Sequence, residues 1–381
     1  MSFSNLSTAS KKIIITRLIC FFWLIAKVIS WKVWLADRLF PIVPPFNFLF
    51  VPSFVHLLLF IFSLLALLAL FLFPSKRFLQ ISVIIIEVFS CLLDQNRWQP
   101  WEYQYIFIII ALVINYKNDK NAISVIAFIS VAIYFYSGLS KMNAIFSQSI
   151  LNALTRSGIL HVSNSYSYNF LAYHIGYALG IVEVSLSIGL LFQRTKKIAA
   201  LFLILMHFII IVVFGPFGIN YDIIIWPWNV AMPLLLYLLF ISKQPVSIQF
   251  KSIKKGWNKI IIILFGILPA LNFFGYWDFF LSSSLFSSKP PGMFIYIKNH
   301  GSSKELHSYF KIDKTNSLPD SNLFAINVRT WSFKELMVPA YPELRVYKNI
   351  KYQILKRYPD IDATFIVVMY INGEKKTVEL K

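Results

Sequence analysis

Nine apolar stretches decide what this chain can fold into. They cover residues 13–30, 48–73, 78–93, 105–116, 122–141, 169–192, 198–214, 221–241 and 260–274. A helix that crosses the hydrocarbon of a bilayer needs roughly 17–25 such residues, and interfacial aromatic residues extend the shorter ones. The stretches predict an α-helical polytopic membrane protein with about nine transmembrane helices. Composition agrees: 57% of residues are hydrophobic and only 14% charged, with mean hydropathy +0.65, a balance that excludes an ordinary water-soluble domain. The first stretch carries Arg17 and Lys27, which leaves its crossing open. No small-residue cleavage site follows it, so it does not read as a removed signal peptide.

A net charge of +19 would suit nucleic acid, but the cations sit between the apolar runs. They cluster at residues 11–12, 76–77, 117–120, 194–197 and 243–259, while the alternate loops hold only Lys32, Arg38, Arg97, Lys141 and Arg156. That is a topology signal, so the expected partner is the lipid bilayer and not nucleic acid. The positive-inside rule puts the N-terminus in the cytoplasm and everything after Phe274 outside it, in a bacterial cytoplasmic (inner) membrane. The clusters at Asp94–Trp101 and Lys141 and the turn at Gly215–Asp222 then face the extracytoplasmic side.

Two parts follow from this reading. Residues 1–280 form the transmembrane domain and residues 289–381 a small extracytoplasmic α+β domain. In the second part Met293–Ile297 and Leu323–Val328 read as strands. Pro342–Arg357 reads as an amphipathic helix with Leu344, Val346, Ile350, Ile354 and Leu355 on its apolar side. Asn372-Gly373 is a hairpin turn signal between Ala363–Ile371 and Lys376–Leu380. No metal spacing, phosphate loop or nucleophile elbow occurs there. Cys20 and Cys91 lie in apolar runs and read as packing residues.

Ionisable residues inside apolar runs are expensive and are functional candidates by default. Lys141 ends the run that closes on Tyr134-Phe135-Tyr136-Ser137-Gly138-Leu139-Ser140. It is either a general base, made neutral by desolvation, or a snorkelling anchor at a helix end. Ser137-Gly138 admits close helix approach beside it. At about 1.5 Å per helical residue, Glu87 and His207 lie roughly 9 and 10 Å inside the outer ends of their helices. Lys141 is then at the rim and Glu183 deeper, so one outward cavity would collect Glu87, Lys141 and His207. His207 either relays a proton or packs through a hydrogen bond. Glu87 and Glu183 lock helices if they do not react. Asp94 and Arg97 have the spacing to pair with each other. Trp98, Trp101, Tyr103 and Tyr105 read as an interfacial belt. Pro227, within Trp226-Pro227-Trp228-Asn229, would free a backbone carbonyl inside a span.

Tyr134–Lys141 resembles the aromatic…Gly-x-x-Lys helix end of the vitamin K-dependent γ-carboxylase family and of the related bacterial HTTM-domain proteins. The Asp94–Tyr105 loop resembles that family's Asp…Tyr-x-Tyr loop. Met206-His207-Phe208, with Phe214-Gly215-Pro216-Phe217-Gly218, resembles its later His-containing helix and turn. The resemblance covers residues 10–280. It implies Lys141 as catalytic base supported by His207, with reduced vitamin K or menaquinol as cofactor. Glu87, Asp94, Arg97, Tyr103 and Tyr221 would be its binding residues, and a secreted or membrane protein would be the carboxyl acceptor. Two departures stand out: Trp101-Glu102 replaces a histidine before the Tyr-x-Tyr, and the C-terminal part is much shorter. Two other classes remain open. One is a non-catalytic scaffold, or a DoxX-like redox-partner protein, that acts through its soluble domain. The other is a transporter, against which stands the lack of an internal repeat.

Overall fold

The structure, a computed structural model, describes residues 7–162, 164–215, 218–220, 223–284, 287, 289–298, 300–312, 324–371 and 374–381. The chain is mostly helical. In order come α1 (Thr8–Ile29), α2 (Trp31–Trp34), α3 (Ser53–Leu72), α4 (Arg77–Leu93), α5 (Pro100–Ile114) and α6 (Asp119–Lys141). They are followed by α7 (Ala144–Arg156), α8 (Ser165–Gly189), α9 (Lys196–Phe214) and α10 (Ile225–Leu236), the last continued by a π-helical turn at Tyr237–Ile241. After α11 (Phe250–Ile253), a second π-helical turn at Ile263–Ile267 joins α12 (Asn258–Ile262) to α13 (Leu268–Leu271). The C-terminal segment holds β1 (Gly292–Ile297), β2 (Lys311–Ile312), β3 (Phe324–Asn327), α14 (Val328–Leu336), α15 (Leu344–Arg357), β4 (Ala363–Ile371) and β5 (Glu374–Glu379).

Among the described residues, four helices are long and apolar enough to cross a membrane: α3, α6, α8 and α9. Helix α1 has 22 residues but carries Lys11, Lys12, Arg17 and Lys27. The remaining apolar runs form helices that are shorter or interrupted by π turns. Pro227 lies in the first turn of α10, where its missing N–H has no helical acceptor to lose, so it frees no carbonyl within a span. Pro233 is the proline inside that helix.

The chain divides into two compact units. The first comprises Met1–Ile29, Phe62–Val88 and Pro100–Ser288; the second comprises Ser30–Ile61, Phe89–Gln99 and Lys289–Lys381. Helix α6 is the hub of the first unit. Its most apolar stretch is 78% buried, against 22% for α8 and 28% for α9. It packs on α1, α5 and α8. The buried residues of α8 are Gly176, Gly180, Glu183 and Ser187, spaced as one narrow stripe, while Tyr173, Leu179, Ile181 and Val182 are exposed. The helix is therefore apolar outside and small or polar inside. Trp101, Tyr103 and Tyr105 are buried, not an exposed belt. Tyr105 packs on Trp23, and Tyr103 stacks on Phe265 at 4.9 Å.

The second unit contains an antiparallel sheet in the order β2-β3-β1-β4-β5. β4 and β5 pair from Ile371↔Glu374 to Ile366↔Glu379. The Asn372-Gly373 turn signal lies outside the described residues. Helix α15 buries Val346, Tyr347, Ile350 and Ile354, whereas Leu355 is exposed. Tyr347 donates to the carbonyl of Pro291 at 2.7 Å, and burial pushes its phenol up. Helix α14 and strand β2 extend the elements that sequence pattern indicated.

Candidate functional site

The site is built on the contact between α6 and α8. A Cβ placed on Gly138 would lie 2.9 Å from the backbone oxygen of Gly180, and one placed on Gly180 would lie 2.7 Å from that of Gly138. Only glycine at both positions allows this approach. The contacts run in opposite senses along the chain: Gly138 against Val184, Gly180 against Met142, and Gly176 against Ser147 of α7. Lys141 and Glu183 each lie three residues beyond one of the paired glycines. Lys141 Nζ donates to Glu183 Oε2 at 2.5 Å, and the two side chains are 10% and 4% exposed. Glu183 is thus the partner of Lys141 and does not lie deeper. The early turns of α8 lie against α7, with Gly176 N–H donating to Ser147 Oγ at 2.8 Å. The helix reaches the end of α6 only at Gly180, so counting depth from its first apolar residue misplaces Glu183.

Seven residues before Lys141, Tyr134 projects from α6 to α9. Its hydroxyl is 2.7 Å from His207 Nε2, and His207 Nδ1 is 2.8 Å from Asn229 Oδ1 on α10. The amide of Asn229 is oriented by its own Nδ2, which donates to the carbonyl of Ile225 at 2.8 Å. Its oxygen therefore faces the ring, which puts the imidazole proton on Nδ1. Nε2 is left as the acceptor for the Tyr134 hydroxyl. The result is a neutral imidazole poised on a phenol, with all three side chains buried. The two groups are electrostatic neighbours: the charge of Lys141 acts on His207 and that of Glu183 on Tyr134. The Lys141–Glu183 pair and the Tyr134–His207–Asn229 group are two hydrogen-bonded sets, seven residues apart along α6. Tyr134 and Asn229 complete the second of these sets; both lie in stretches noted in the sequence, but neither was given a role there.

The remaining candidates lie elsewhere. Glu87 pairs with Lys27 at 2.7 Å and accepts from Ser63 Oγ at 2.5 Å. Tyr103 stacks between Phe107 and Phe265. Tyr221 lies outside the described residues. Asp94 and Arg97 belong to the second unit; the Arg97 backbone N–H donates to Asp94 O at 3.0 Å, while their side chains bind separate partners. Asp94 binds Arg38 and caps the turn at Gln95–Arg97 through the backbone N–H of Asn96 at 3.1 Å. The guanidinium of Arg97 is fully buried. Nε donates to Val33 O at 3.0 Å, Nη1 to Ser90 O at 2.9 Å and Ser90 Oγ at 3.1 Å, and Nη2 to Trp34 O at 2.9 Å and His56 Nδ1 at 2.8 Å. In the same unit Glu335 holds the backbone N–H groups of Leu39 and Phe40 at 2.6 and 3.1 Å. Among the described residues no three His, Cys, Asp or Glu side chains are grouped to hold a metal.

No protein-family model, curated protein or solved structure matches this chain.

Proposed function

We propose that this chain is a polytopic inner-membrane protein of the HTTM/γ-carboxylase-like class whose helices hold an acid–base site for a lipid-soluble quinol. In this reading about nine helices cross the membrane, the N-terminus is cytoplasmic and the C-terminal domain extracytoplasmic. The acceptor is a secreted or membrane protein. One observation carries the reading: α6 bears two buried hydrogen-bonded groups, Lys141–Glu183 and, seven residues earlier, Tyr134–His207–Asn229. The exposed apolar faces of α3, α8 and α9 are of the kind that lipid covers.

The donor set suits a quinol. It offers an amine–carboxyl pair, a phenol–imidazole pair and the indole N–H of Trp226, a buried donor without an acceptor, one turn before Asn229. When bound, a quinol supplies reducing equivalents and a ring hydroxyl. The chain supplies proton handling. In this reading Lys141 is the base and Glu183, 2.5 Å away, is the group that hydrogen-bonds it. His207, fixed in its Nδ1–H tautomer, accepts from Tyr134 and orients that hydroxyl.

The test uses purified protein in mild detergent with menaquinol and O2, following quinone epoxide by mass spectrometry. Wild type forms epoxide, and Lys141→Ala lowers its rate by on the order of 10²-fold or more. Folded wild type that forms none overturns the reading. A second reading, partner binding by the second unit, draws on its half-open cavity of about 380 Å³, lined by Arg38, Phe40, Trp331, Lys356 and Arg357 among others. Charge reversal at Lys356 that abolishes cellular function, with Lys141→Ala silent, selects it.

A further inference from the structure

A second ionic cluster in the first unit has no role in the site above. Lys27 on α1, Glu87 on α4 and Glu102 on α5 meet with 0% side-chain exposure. Lys27 Nζ donates to Glu87 Oε2 at 2.7 Å and stands 3.9 Å from Glu102 Oε1. The other oxygen of Glu87 accepts from Ser63 Oγ on α3 at 2.5 Å. Glu102 Oε2 accepts from Trp23 Nε1 at 2.6 Å, while Glu102 Oε1 accepts no hydrogen bond. The Tyr105 hydroxyl, one turn along α5, is buried and has no partner either. The two carboxyl groups are within hydrogen-bonding reach of each other.

Charge counting makes this arrangement informative. Cys20 and Tyr105 are the other titratable groups facing the cluster, and neither supplies a balancing charge. One ammonium against two carboxylates leaves a net negative charge with no access to water. Two ionised carboxylates in contact repel, whereas a proton between them turns the contact into a hydrogen bond. The proton also has an assignable place. Glu87 has an ammonium at 2.7 Å and a hydroxyl at 2.5 Å, so its contacts stabilise a carboxylate. Glu102 has one indole N–H and a cation only at 3.9 Å.

We infer that Lys27, Glu87 and Glu102 form a proton-binding site within the helices, in which Glu87 is the counterion of Lys27 and Glu102 carries an exchangeable proton. None of these residues belongs to the Lys141 site, so this assignment stands if the quinol reading fails.

The experiment is infrared difference spectroscopy of the full chain in detergent, wild type against single variants, with hydrogen–deuterium exchange to identify carboxylic acid bands. Wild type shows a buried carboxylic acid band at neutral pH. Glu102→Gln loses that band and stays folded, because the amide retains the Trp23 bond and mimics the protonated acid. Glu87→Gln also loses it, because Glu102 then becomes the counterion of Lys27. Lys27→Met doubles it. Folded wild type without a band sensitive to these changes overturns the inference. So does a band that survives Glu102→Gln. If Glu102→Gln does not fold, the Glu87→Gln comparison decides: a persisting band refutes the assignment.

Discussion

Arg97 and Lys141 look alike in the sequence: each is a cation beside the end of an apolar run, in a loop otherwise poor in cations. Their surroundings differ in kind. Arg97 donates to three backbone carbonyls, a hydroxyl and an imidazole nitrogen, which occupy every nitrogen of its fork. Lys141 has one carboxylate. A guanidinium keeps its proton under any condition a protein meets, and here its donors are consumed in tying α2 to the end of α4. An ammonium facing a single carboxylate in a nearly dry site has donors to spare for a ligand. A fully satisfied buried cation is a staple, and a sparsely satisfied one is a candidate for chemistry.

Removing the staple should have the largest effect. Arg97→Ala strands the carbonyls of Val33, Trp34 and Ser90, each an acceptor left dry, and should destabilise the second unit by on the order of 3–5 kcal/mol. Thermal unfolding in detergent measures it. Arg97→Lys, with three donors in place of five, should recover only part. A drop below about 1 kcal/mol, within the range of exposed ion pairs, would show that the fork is not what holds these segments.

The Lys141–Glu183 pair comes next. Lys141→Met and Glu183→Gln should each cost about 3 kcal/mol, because each leaves its partner's charge buried and alone. The double variant should cost less than the sum, since no lone charge remains. Strict additivity in that cycle would mean that the two groups are not coupled and would remove the basis of the contrast with Arg97. Gly138→Ala approaches the pair from the backbone side. Its Cβ would meet the Gly180 oxygen at 2.9 Å, and backbone cannot turn aside as a flexible side chain can. The helices must separate, at about 1–3 kcal/mol, and Lys141 should become reactive toward an amine reagent.

How much of this could be read beforehand depends on whether the determinants were local. Helix positions followed from the apolar runs, and β4 and β5 followed from alternation around Asn372-Gly373. Gly138-x-x-Lys141 was visible as a close-approach site beside an ionisable group. Its counterpart, Gly176-x-x-x-Gly180-x-x-Glu183 on α8, has the same small-and-acidic spacing and was available as a signal. Depth counting hid it, because the counting assumed that α8 meets the other helices from its first turn. The partners of Arg97 left no trace at all: three are carbonyls, which every residue type carries. Lys27 and Glu87 are 60 residues apart, and nothing local to either announces the other.

The smallest effect is the most diagnostic for chemistry. Tyr134→Phe removes one hydroxyl from a buried hydrogen bond, should cost about 1 kcal/mol in stability, and should leave the Lys141–Glu183 pair in place. His207 then loses the donor on Nε2 but keeps Nδ1–H on Asn229, so its tautomer is unchanged. Asn229→Ala does the reverse: it keeps the Tyr134 contact and releases the tautomer. In nitrogen-15 spectra of labelled histidine, Tyr134→Phe should shift Nε2 while His207 remains an Nδ1–H imidazole. Asn229→Ala should produce a mixture of tautomers. If both variants leave the His207 signals of wild type untouched, the tyrosine and asparagine do not set its state. His207 is then a packing residue, and the contrast between a consumed cation and one with donors to spare rests on Lys141 and Glu183 alone.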